Sequence, residues 1–357
     1  MMTSDGFLDD KTPPWVEAPT YDCHYYLPPE ERYLDAPDDI VDRGRLLLRA
    51  LLKEIPSAAR LIADAVRLRT GGRFHGDMLA VARLVGADWR DIMLANIAYD
   101  LRATVYGCSV VALATPTGPV VARNMDWWPE EVLARGSCLV RFYGRDDRLC
   151  VANAGWPGTL GVVTGLSGRG FAAVVNAVKC PERSNKLGYP VLLHLRRVLE
   201  DAPDFAAALK MLSDTKLAVP AIITLVGSEN DQRVVIERSP TRHALRWPKG
   251  DGPLVATNDY RLLFQPTTSD ESEIYRTTCA RYTYLLRYFA DYDGRTEVTD
   301  TDLLWALTDP NVLQHSTAQQ ILMRPRTNDI KLYVPRRLVE TPPRERPART
   351  RQVLAEV

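Results

Sequence analysis

A thiol, a guanidinium and a carboxylate lie close together in the sequence, on Cys108, Arg123 and Asp126. The apolar runs 110–114 and 119–123 flank a Thr-Pro-Thr-Gly turn, which predicts a hairpin of two buried strands. The cysteine at the start of the first strand would then meet the other two side chains at the end of the second. This arrangement suits a cysteine nucleophile. The alternatives are a buried apolar cysteine and an ion pair that only closes the turn.

The composition is that of a globular chain without a charge preference. Its 357 residues are 46% hydrophobic, and 45 Lys and Arg balance 45 Asp and Glu, which argues against a nucleic-acid partner.

The six cysteines show no zinc-like spacing, so we predict neither a metal nor a cofactor. All five histidines lie outside the Cys108 stretch, which weighs against a Cys-His dyad. The cysteines to which we assign structural roles are Cys23, Cys138, Cys150, Cys180 and Cys279.

The two ends of the chain differ from the rest in composition. Residues 1–20 are polar and contain prolines, so we expect a flexible lead-in, and the Arg/Pro-rich residues 335–357 predict a disordered tail. The first residues show neither the basic nor the apolar segment of a signal peptide. No apolar run approaches the ~20 residues of a membrane span. The expected location is therefore the cytoplasm.

Hydrophobic periodicity divides the remainder into a helical and a mixed part. Residues 21–107 predict a mainly helical segment, and 108–334 combine strand-like runs with helices. The predicted α+β fold is an αββα sandwich, two mainly antiparallel sheets covered by helices. The predicted helices start near 37, 58, 77, 88, 191, 205, 272 and 301. The further predicted strands are 21–26, 138–143, 148–153, 159–164, 171–178, 221–226, 233–237, 254–257, 320–323 and 330–334.

The residues around Cys108 resemble the core motif of a known superfamily. Gly-Cys-Ser-Val-Val at 107–111, followed after a turn by Arg-Asn-Met-Asp-Trp at 123–127, is similar to the N-terminal nucleophile cysteine hydrolases. This superfamily includes choloylglycine hydrolases, penicillin V acylases, acid ceramidase and N-acylethanolamine-hydrolysing acid amidase. The resemblance implies the same αββα fold.

Other segments extend the resemblance over about 20–334. Upstream, 21–33 (YDCHYYLPPEERY) and 84–99 (LVGADWRDIMLANIAY) resemble the acid ceramidase and acid amidase branch. Downstream, the segments that resemble the superfamily are 171–176, 257–258 and 278–285.

The chain departs from the superfamily pattern at two places. The chain has Cys-Ser-Val where Cys-Thr-Ser is usual, which bears on processing, and Thr-Asn-Asp where Thr-Asn-His or Thr-Asn-Tyr is frequent, which bears on the pocket.

The resemblance implies that the chain cuts itself between Gly107 and Cys108. The thiol would attack the Gly107 carbonyl, the acyl group would move from nitrogen to sulfur, and water would release a new N-terminus. Glycine suits this position because it permits a strained backbone and leaves its carbonyl open to attack. The new α-amino group, with a pKa of about 8, would then act as general base for its own thiol.

The resemblance also implies roles for four other side chains. Asp126 would orient the amine, and Arg123 would hold the thiolate. Asn258 would donate to the oxyanion, a contact worth ~3–4 kcal/mol in comparable sites. Asn176 would line the leaving-group side of the site. An asparagine at a strand end can also simply satisfy turn backbone, and this alternative stays open for Asn176.

A second arginine and three tryptophans complete the candidate site. Arg281 would close the network from the start of a helix, and Arg276 is the alternative to it. A solvent-facing position on the helix is the other interpretation of Arg281. The tryptophans, which either wall an apolar pocket or belong to the core, are Trp127, Trp128 and Trp156.

Taken together, the resemblance implies a cysteine amidase that hydrolyses a linear C–N amide bond through a Cys108 thioester. Fragments 1–107 and 108–357 would stay associated. The branch favours an N-acylethanolamine or a ceramide-like substrate, with peripheral contact at a lipid surface. Alternatives are penicillin V, a bile-salt conjugate, an acyl-homoserine lactone or acyl transfer to an amine. Outside enzymes, the chain could be a catalytically silent lipid-binding scaffold.

Overall fold

Two β-sheets occupy the centre of the molecule in a computed structural model that describes residues 12–53, 55, 59–101, 107–264 and 273–340. The strands are β1 (Trp15–Glu17), β2 (Thr20–His24), β3 (Gly107–Leu113), β4 (Val120–Asp126), β5 (Cys138–Tyr143), β6 (Leu149–Gly155), β7 (Thr164–Ser167), β8 (Phe171–Asn176), β9 (Ala221–Val226), β10 (Arg233–Arg238), β11 (His243–Arg246), β12 (Leu254–Ala256), β13 (Thr317–Arg324) and β14 (Asp329–Pro335). The helices are α1 (Pro29–Arg32), α2 (Asp38–Leu52), α3 (Arg60–Arg69), α4 (His75–Val85), α5 (Trp89–Asn96), α6 (Ala98–Leu101), α7 (Glu130–Gly136), α8 (Val191–Asp201), α9 (Phe205–Asp214), α10 (Glu273–Tyr288), α11 (Asp300–Thr308) and α12 (Arg336–Val339).

Strand pairing within the two sheets is mainly antiparallel. The smaller sheet has the order β1-β14-β13-β4-β3-β12, and the larger has the order β11-β10-β9-β8-β7-β6-β5-β2. Among the described strands, β2 and β5 form the one parallel pair. The predicted hairpin is the β3–β4 pair, in which Cys108 lies opposite Met125 and Val110 lies opposite Arg123.

Side-chain alternation on β3 separates two apolar layers. Val110 and Ala112 face the larger sheet, in a core shared with Leu166 of β7. Their neighbours Val111 and Leu113 face the opposite way, against apolar side chains of α10 and α11. Helices α8 and α9 cover the far face of the larger sheet. The layers therefore follow the order helix, sheet, sheet, helix, and the predicted α+β sandwich is confirmed.

The N-terminal helices pack against one end of the larger sheet. Side chains of α3, α4 and α5 share a buried cluster with Cys23 of β2 and with Val140 and Phe142 of β5. The predicted helical character of 21–107 agrees with α1 to α6 in the described part of that segment. No helix in the described part of the chain combines the length and the apolar character needed to cross a bilayer.

Both predicted termini are more ordered than the sequence indicates. The flexible lead-in predicted for 1–20 is wrong at Trp15–Glu17, because the backbone of these residues pairs with β14. The disordered tail predicted for 335–357 is wrong at Arg336–Val339, which form a helical turn. The remaining parts of these two predictions, 1–11 and 341–357, lie outside the described residues.

The strand predicted for 159–164 is also wrong over most of its length. β7 starts only at Thr164. The backbone N–H groups of Leu160 and Gly161 donate to the side chain of Asn96 on α5 instead of to a neighbouring strand. The Asn96 side chain here takes the place of the backbone acceptors that a neighbouring strand would supply.

Several contacts join the segment before Gly107 to the segment after it. β1 and β2 each add an edge strand to one of the two sheets. Arg73 of the N-terminal segment forms ion pairs with Glu200 at 2.8 Å and Asp201 at 2.6 Å, both on α8. Strand pairing and ion pairs thus connect the two segments at separate places.

Asp100 of α6 makes a further contact across the same boundary. Its Oδ1 accepts from the backbone N–H of Val191, the first residue of α8, at 3.0 Å. Burial raises the pKa of this carboxyl to about 7. The folded chain therefore keeps the proton up to about pH 7, whereas the unfolded chain loses it near pH 4. The stability that this carboxyl contributes is complete below about pH 4 and is lost as the pH rises to about 7.

The substitution Asp100→Asn should remove this pH dependence. An amide keeps the oxygen that accepts from Val191 and cannot ionise. Because Asp100 is partly exposed, we expect the wild type to lose only ~1–2 kcal/mol of unfolding free energy, relative to the variant, between about pH 4 and pH 7. Urea unfolding at both pH values measures the difference, and parallel pH profiles of the two proteins would contradict the prediction.

Candidate active site

The thiol of Cys108 lies on the inner face of the smaller sheet, beside the guanidinium of Arg123. Cys108 precedes Val110 by two residues and Arg123 follows Val121 by two, so alternation directs all four side chains toward the larger sheet. Arg123 Nη2 donates to Cys108 Sγ at 2.7 Å. Cys108 is 2% exposed and Arg123 is 0% exposed. A buried cation at this distance stabilises the thiolate and so acts against the effect of burial on this thiol.

The larger sheet holds the other end of the Arg123 guanidinium. Its Nη1 donates to the hydroxyl of Thr164 in a short hydrogen bond and to the carbonyl of Val163 at 3.3 Å. Thr164 is fully buried at the start of β7. These two bonds fix the cation between the sheets and leave its second nitrogen directed at the thiol.

The carboxylate of Asp126 contacts a different neighbour. Its Oδ1 accepts from the hydroxyl of Thr317 at 2.6 Å, and the same two residues pair across β4 and β13. Its Oδ2 is buried and has no hydrogen-bond partner among the described residues. Burial raises the pKa of this carboxyl, an effect that the nearby charges of Arg281 and Arg123 partly offset. The carboxylate thus lies at the predicted end of the hairpin, where its side chain bonds to Thr317, while the guanidinium of Arg123 bonds to the thiol.

Arg281 reaches the same place from α10, on the outer side of the smaller sheet. Its Nη1 donates to the Cys108 carbonyl at 2.6 Å and to the Ser109 hydroxyl at 2.8 Å. Its Nη2 donates to Asn258 Oδ1 at 2.9 Å. Arg281 is 0% exposed, and burial lowers the pKa of its guanidinium. The alternative, Arg276, is exposed to solvent, so the structure brings Arg281 and not Arg276 to the site.

Asn258 binds the main chain of Cys108 through its acceptor. Its Oδ1 accepts from the Cys108 N–H at 3.1 Å, and its Nδ2 donates to the Ala177 carbonyl at 2.9 Å. The hydroxyl of Thr278 on α10 accepts from the Asn258 backbone N–H at 2.9 Å. The predicted role as an oxyanion donor stays a prediction, because in this uncleaved chain the side-chain oxygen, not the amide nitrogen, meets Cys108.

Asn176 connects the two sheets through hydrogen bonds close to the thiol. Its Nδ2 donates to the carbonyls of Thr257 at 3.0 Å and Ala256 at 3.3 Å, at the end of β12. The preceding carbonyl, of Val175, accepts from the Cys108 thiol at 3.8 Å. The buried Oδ1 of Asn176 has no partner within the described parts of the chain. This side chain therefore lies at the site, and its present bonds are to backbone.

Burial raises the pKa of the Cys108 thiol in the uncleaved chain, and the charge of Arg123 partly offsets this effect. The charge of Asp126 acts in the same direction as burial, whereas that of Arg281 opposes it. Ionisation of this thiol therefore depends on its two buried arginines and on a base that takes the proton.

Two of the three tryptophans lie in the same apolar cluster as the thiol. Trp127 and Trp156 are buried and pack edge to face, with ring centroids 5.3 Å apart, whereas Trp128 is 39% exposed. A small apolar cleft lies between α2, α4 and β5, and none of the six predicted site residues lines it. No group of three His, Cys, Asp or Glu side chains in the described ranges is arranged to hold a metal ion.

Sequence reasoning missed the hydroxyl side chains that complete this network. Thr164 binds Arg123, Thr317 binds Asp126, and Thr277 accepts from Arg281 Nε at 3.1 Å. Serine and threonine are too frequent for their positions to be informative without a fold. The one available signal was Ser109, which departs from the family pattern next to the cysteine and here accepts from Arg281.

The chain matches no protein-family model and no curated protein. Among solved structures, it is similar to the N-acylethanolamine-hydrolyzing acid amidase ortholog of Caenorhabditis elegans, with a TM-score of 0.50 and 19% identity over 61% of this chain and 93% of that one. A mutant of the conjugated bile acid hydrolase from Clostridium perfringens gives a TM-score of 0.39 and 12% identity, over 63% of this chain and 91% of that one. The first similarity shows that this chain shares its fold with the nematode protein.

Proposed function

We propose that this chain is a self-processing cysteine amidase of the N-terminal nucleophile type. The observation that carries the proposal is the 2.7 Å contact between Cys108 Sγ and Arg123 Nη2 at the start of β3. At the same residue, Asn258 accepts from the N–H and Arg281 donates to the carbonyl. A cysteine that is only part of a core needs no buried cation at its sulfur and no side-chain partners for its backbone.

In the proposed self-cleavage, Cys108 Sγ attacks the carbonyl carbon of Gly107. A C–S bond forms, the C–N bond breaks, and the Cys108 nitrogen takes a proton. Water then hydrolyses the thioester to a Gly107 carboxylate and a free thiol. Asn258 Oδ1, 3.1 Å from the Cys108 nitrogen, would hold the new amine. Asp126 is a second acceptor for it, because it pairs with Gly107 across the hairpin and its buried Oδ2 has no hydrogen-bond partner among the described residues.

In the proposed turnover, the α-amino group takes the thiol proton, and the thiolate attacks the acyl carbon of a linear amide. The amine product leaves with that proton, and water hydrolyses the thioester to a fatty acid. Arg123 would stabilise the thiolate between these steps. We favour an N-acylethanolamine or a ceramide-like amide, because Trp127 and Trp156 belong to the same buried apolar cluster as Cys108.

The burial of the nucleophile supports a precursor that is inactive before cleavage. Cys108 is 2% exposed, and the apolar cleft between α2, α4 and β5 does not reach it. A substrate therefore gains access only after the backbone at Gly107 opens. Breaking this bond frees one end of β3 to move, which would uncover the sulfur.

Intact-mass analysis of the purified chain tests the proposal. We expect two fragments that meet at Gly107 and Cys108, whose masses add up to the chain plus one water. Cys108→Ala should give one uncut chain, and Cys138→Ala, which removes another fully buried thiol, should be cut like the wild type. An uncut wild-type chain that also resists thiol-directed labelling at Cys108 would refute the proposal. A panel of fluorogenic acyl amides then identifies the substrate.

After cleavage, the two fragments should remain one particle. β1 and β2 supply edge strands to both sheets, and apolar packing of α3 to α5 adds to them. Ion pairs such as Arg73–Asp201 are partly exposed and contribute little, so about 1 M salt should not separate the fragments. Size-exclusion chromatography should show one peak in salt and two components in denaturant; separate elution in native buffer would contradict this prediction.

A further inference from the structure

A buried asparagine of α5 holds the segment that leads to the candidate active site. Asn96 is 2% exposed, and its Oδ1 accepts from the backbone N–H groups of Leu160 at 2.6 Å and Gly161 at 2.7 Å. Its Nδ2 donates to the carbonyl of Ile92 on its own helix at 2.8 Å. The amide group is therefore held by its own helix while it binds two consecutive groups of another segment.

The bound segment continues directly to Arg123. Val162 donates to the Leu192 carbonyl at 3.0 Å, and the Val163 carbonyl accepts from the Val175 N–H at 2.8 Å. Val163 and Thr164 then accept from Arg123 Nη1. Each residue from 160 to 164 is therefore held by a hydrogen bond to a backbone or side-chain group. A displacement of Gly161 would for this reason also displace Thr164.

Gly161 allows the close approach on which this contact depends. A Cβ atom at this position would lie 2.9 Å from Leu192 Cβ and 3.3 Å from the Asn96 carbonyl oxygen. Residue 161 therefore lies in a slot between α5 and α8 that only glycine fits.

We propose that Asn96 is a positioning residue that sets Arg123 in its contact with Cys108, through residues 160–164. The proposal rests on the proposed self-processing activity, and it assigns a task in catalysis to the fragment before Gly107. That fragment would have to stay bound after cleavage because it supplies the support of the cation. A guanidinium that shifts by about 1 Å loses much of its effect on a thiolate.

Four variants of the full chain test the proposal. Asn96→Leu removes the acceptor. Asn96→Ser keeps a hydroxyl that can bond to Ile92 but cannot reach Leu160, and this variant replaces Asn96→Leu in the test if the leucine variant does not fold. Asn96→Asp keeps the acceptor for both N–H groups. The matched control is Asn230→Leu, since Asn230 binds the backbone N–H of Thr115 at 3.3 Å and its carbonyl at 2.9 Å, at the opposite end of the β3–β4 hairpin.

Three measurements are made on each variant: the rate of self-cleavage by intact mass, kcat and KM on a fluorogenic acyl amide, and the pH midpoint of Cys108 alkylation. Exposed Cys279 is the internal reference for alkylation. The charged groups near the Cys108 thiol are Arg123 and Asp126 on β4 and Arg281 on α10. Of these groups, it is Arg123 that residues 160–164 bind, through Val163 and Thr164.

For Asn96→Leu and Asn96→Ser we expect cleavage and kcat to fall about tenfold or more with KM nearly unchanged, and the Cys108 midpoint to move to higher pH. Asn96→Asp should recover most of the wild-type values, and Asn230→Leu should keep them. The proposal is wrong if the Asn96 variants match the control at equal stability, or if the alkylation midpoint does not move. A wild-type chain that neither cleaves nor hydrolyses amides refutes the proposed function, whereas Asn96 variants that match the control beside an active wild type refute only the role of Asn96.

Discussion

Replacing Arg123 with methionine should slow self-cleavage and amide hydrolysis by about 10³-fold or more, the largest effect we expect from a residue other than the nucleophile. Burial raises the pKa of the Cys108 thiol, and Arg123 is the first of the opposing charges. Without it, a thiolate would form inside an apolar cluster with Trp127 and Trp156. The variant should therefore regain part of its activity only at higher pH.

The rate at which the uncut mass disappears, measured from about pH 6 to pH 10, checks this prediction. Arg123→Lys is an informative intermediate, because an ammonium cannot bind Thr164 and the thiol at once with the geometry of a guanidinium. Arg238→Met is the matched control. Arg238 is also buried, but it binds the carbonyls of Ser213 and Thr215. Equal cleavage rates in the Arg123→Met and Arg238→Met variants would show that the cation has no part in the chemistry.

Replacing Arg281 with methionine should block maturation and also lower the unfolding free energy by ~2–4 kcal/mol, because several buried acceptors lose a charged donor. These acceptors are the Cys108 carbonyl, the Ser109 hydroxyl and Asn258 Oδ1. The loss of Arg281 would also remove the charged donor that, together with the Ala177 carbonyl, holds Asn258 in place to accept from the Cys108 N–H. Both the stability and the cleavage step depend on the same bonds.

A second buried arginine separates the two effects. Arg233 is 0% exposed and donates to the carbonyls of Asn230, Gly252 and Ala112, the last of which lies toward the far end of β3. Arg233→Met should destabilise the chain to a similar extent and still be cut. Chemical denaturation and intact mass on both variants provide the comparison. The assignment of Arg281 fails if its variant, at a temperature where it is folded, is cut as fast as the Arg233 variant.

The apolar pattern of the sequence was sufficient to predict the sandwich and its central hairpin. Alternation on both strands of that hairpin also predicts that Cys108 and Arg123 share a face with Val110 and Val121. It fails where polar residues are buried. β13 starts at Thr317, three residues before the predicted start at 320, because Thr317 and Gln319 also lie buried in the sheet, where they bond to Asp126 and Ser137. A strand whose buried side chains are glutamines has no apolar signature.

The choice between Arg281 and Arg276 shows where helical periodicity reaches its limit. Thr278, Arg281 and Leu285 are buried at spacings of three and four, which identifies one face of α10, and Arg276 lies off that face. The sequence contains this pattern, but it does not say which sheet the face meets. Only the packing of α10 against β3 brings the guanidinium of Arg281 to the Cys108 carbonyl.

By itself, the sequence determined the fold class, the hairpin and the cysteine at its start, because apolar periodicity and turn residues act over a few neighbouring positions. The tertiary structure alone decided which polar groups meet there. Thr164, Thr317 and Asn96 come from distant parts of the chain and bind Arg123, Asp126 and the 160–161 backbone. Single hydroxyl and amide side chains follow no sequence period, so their partners exist only once the sheets and helices have packed.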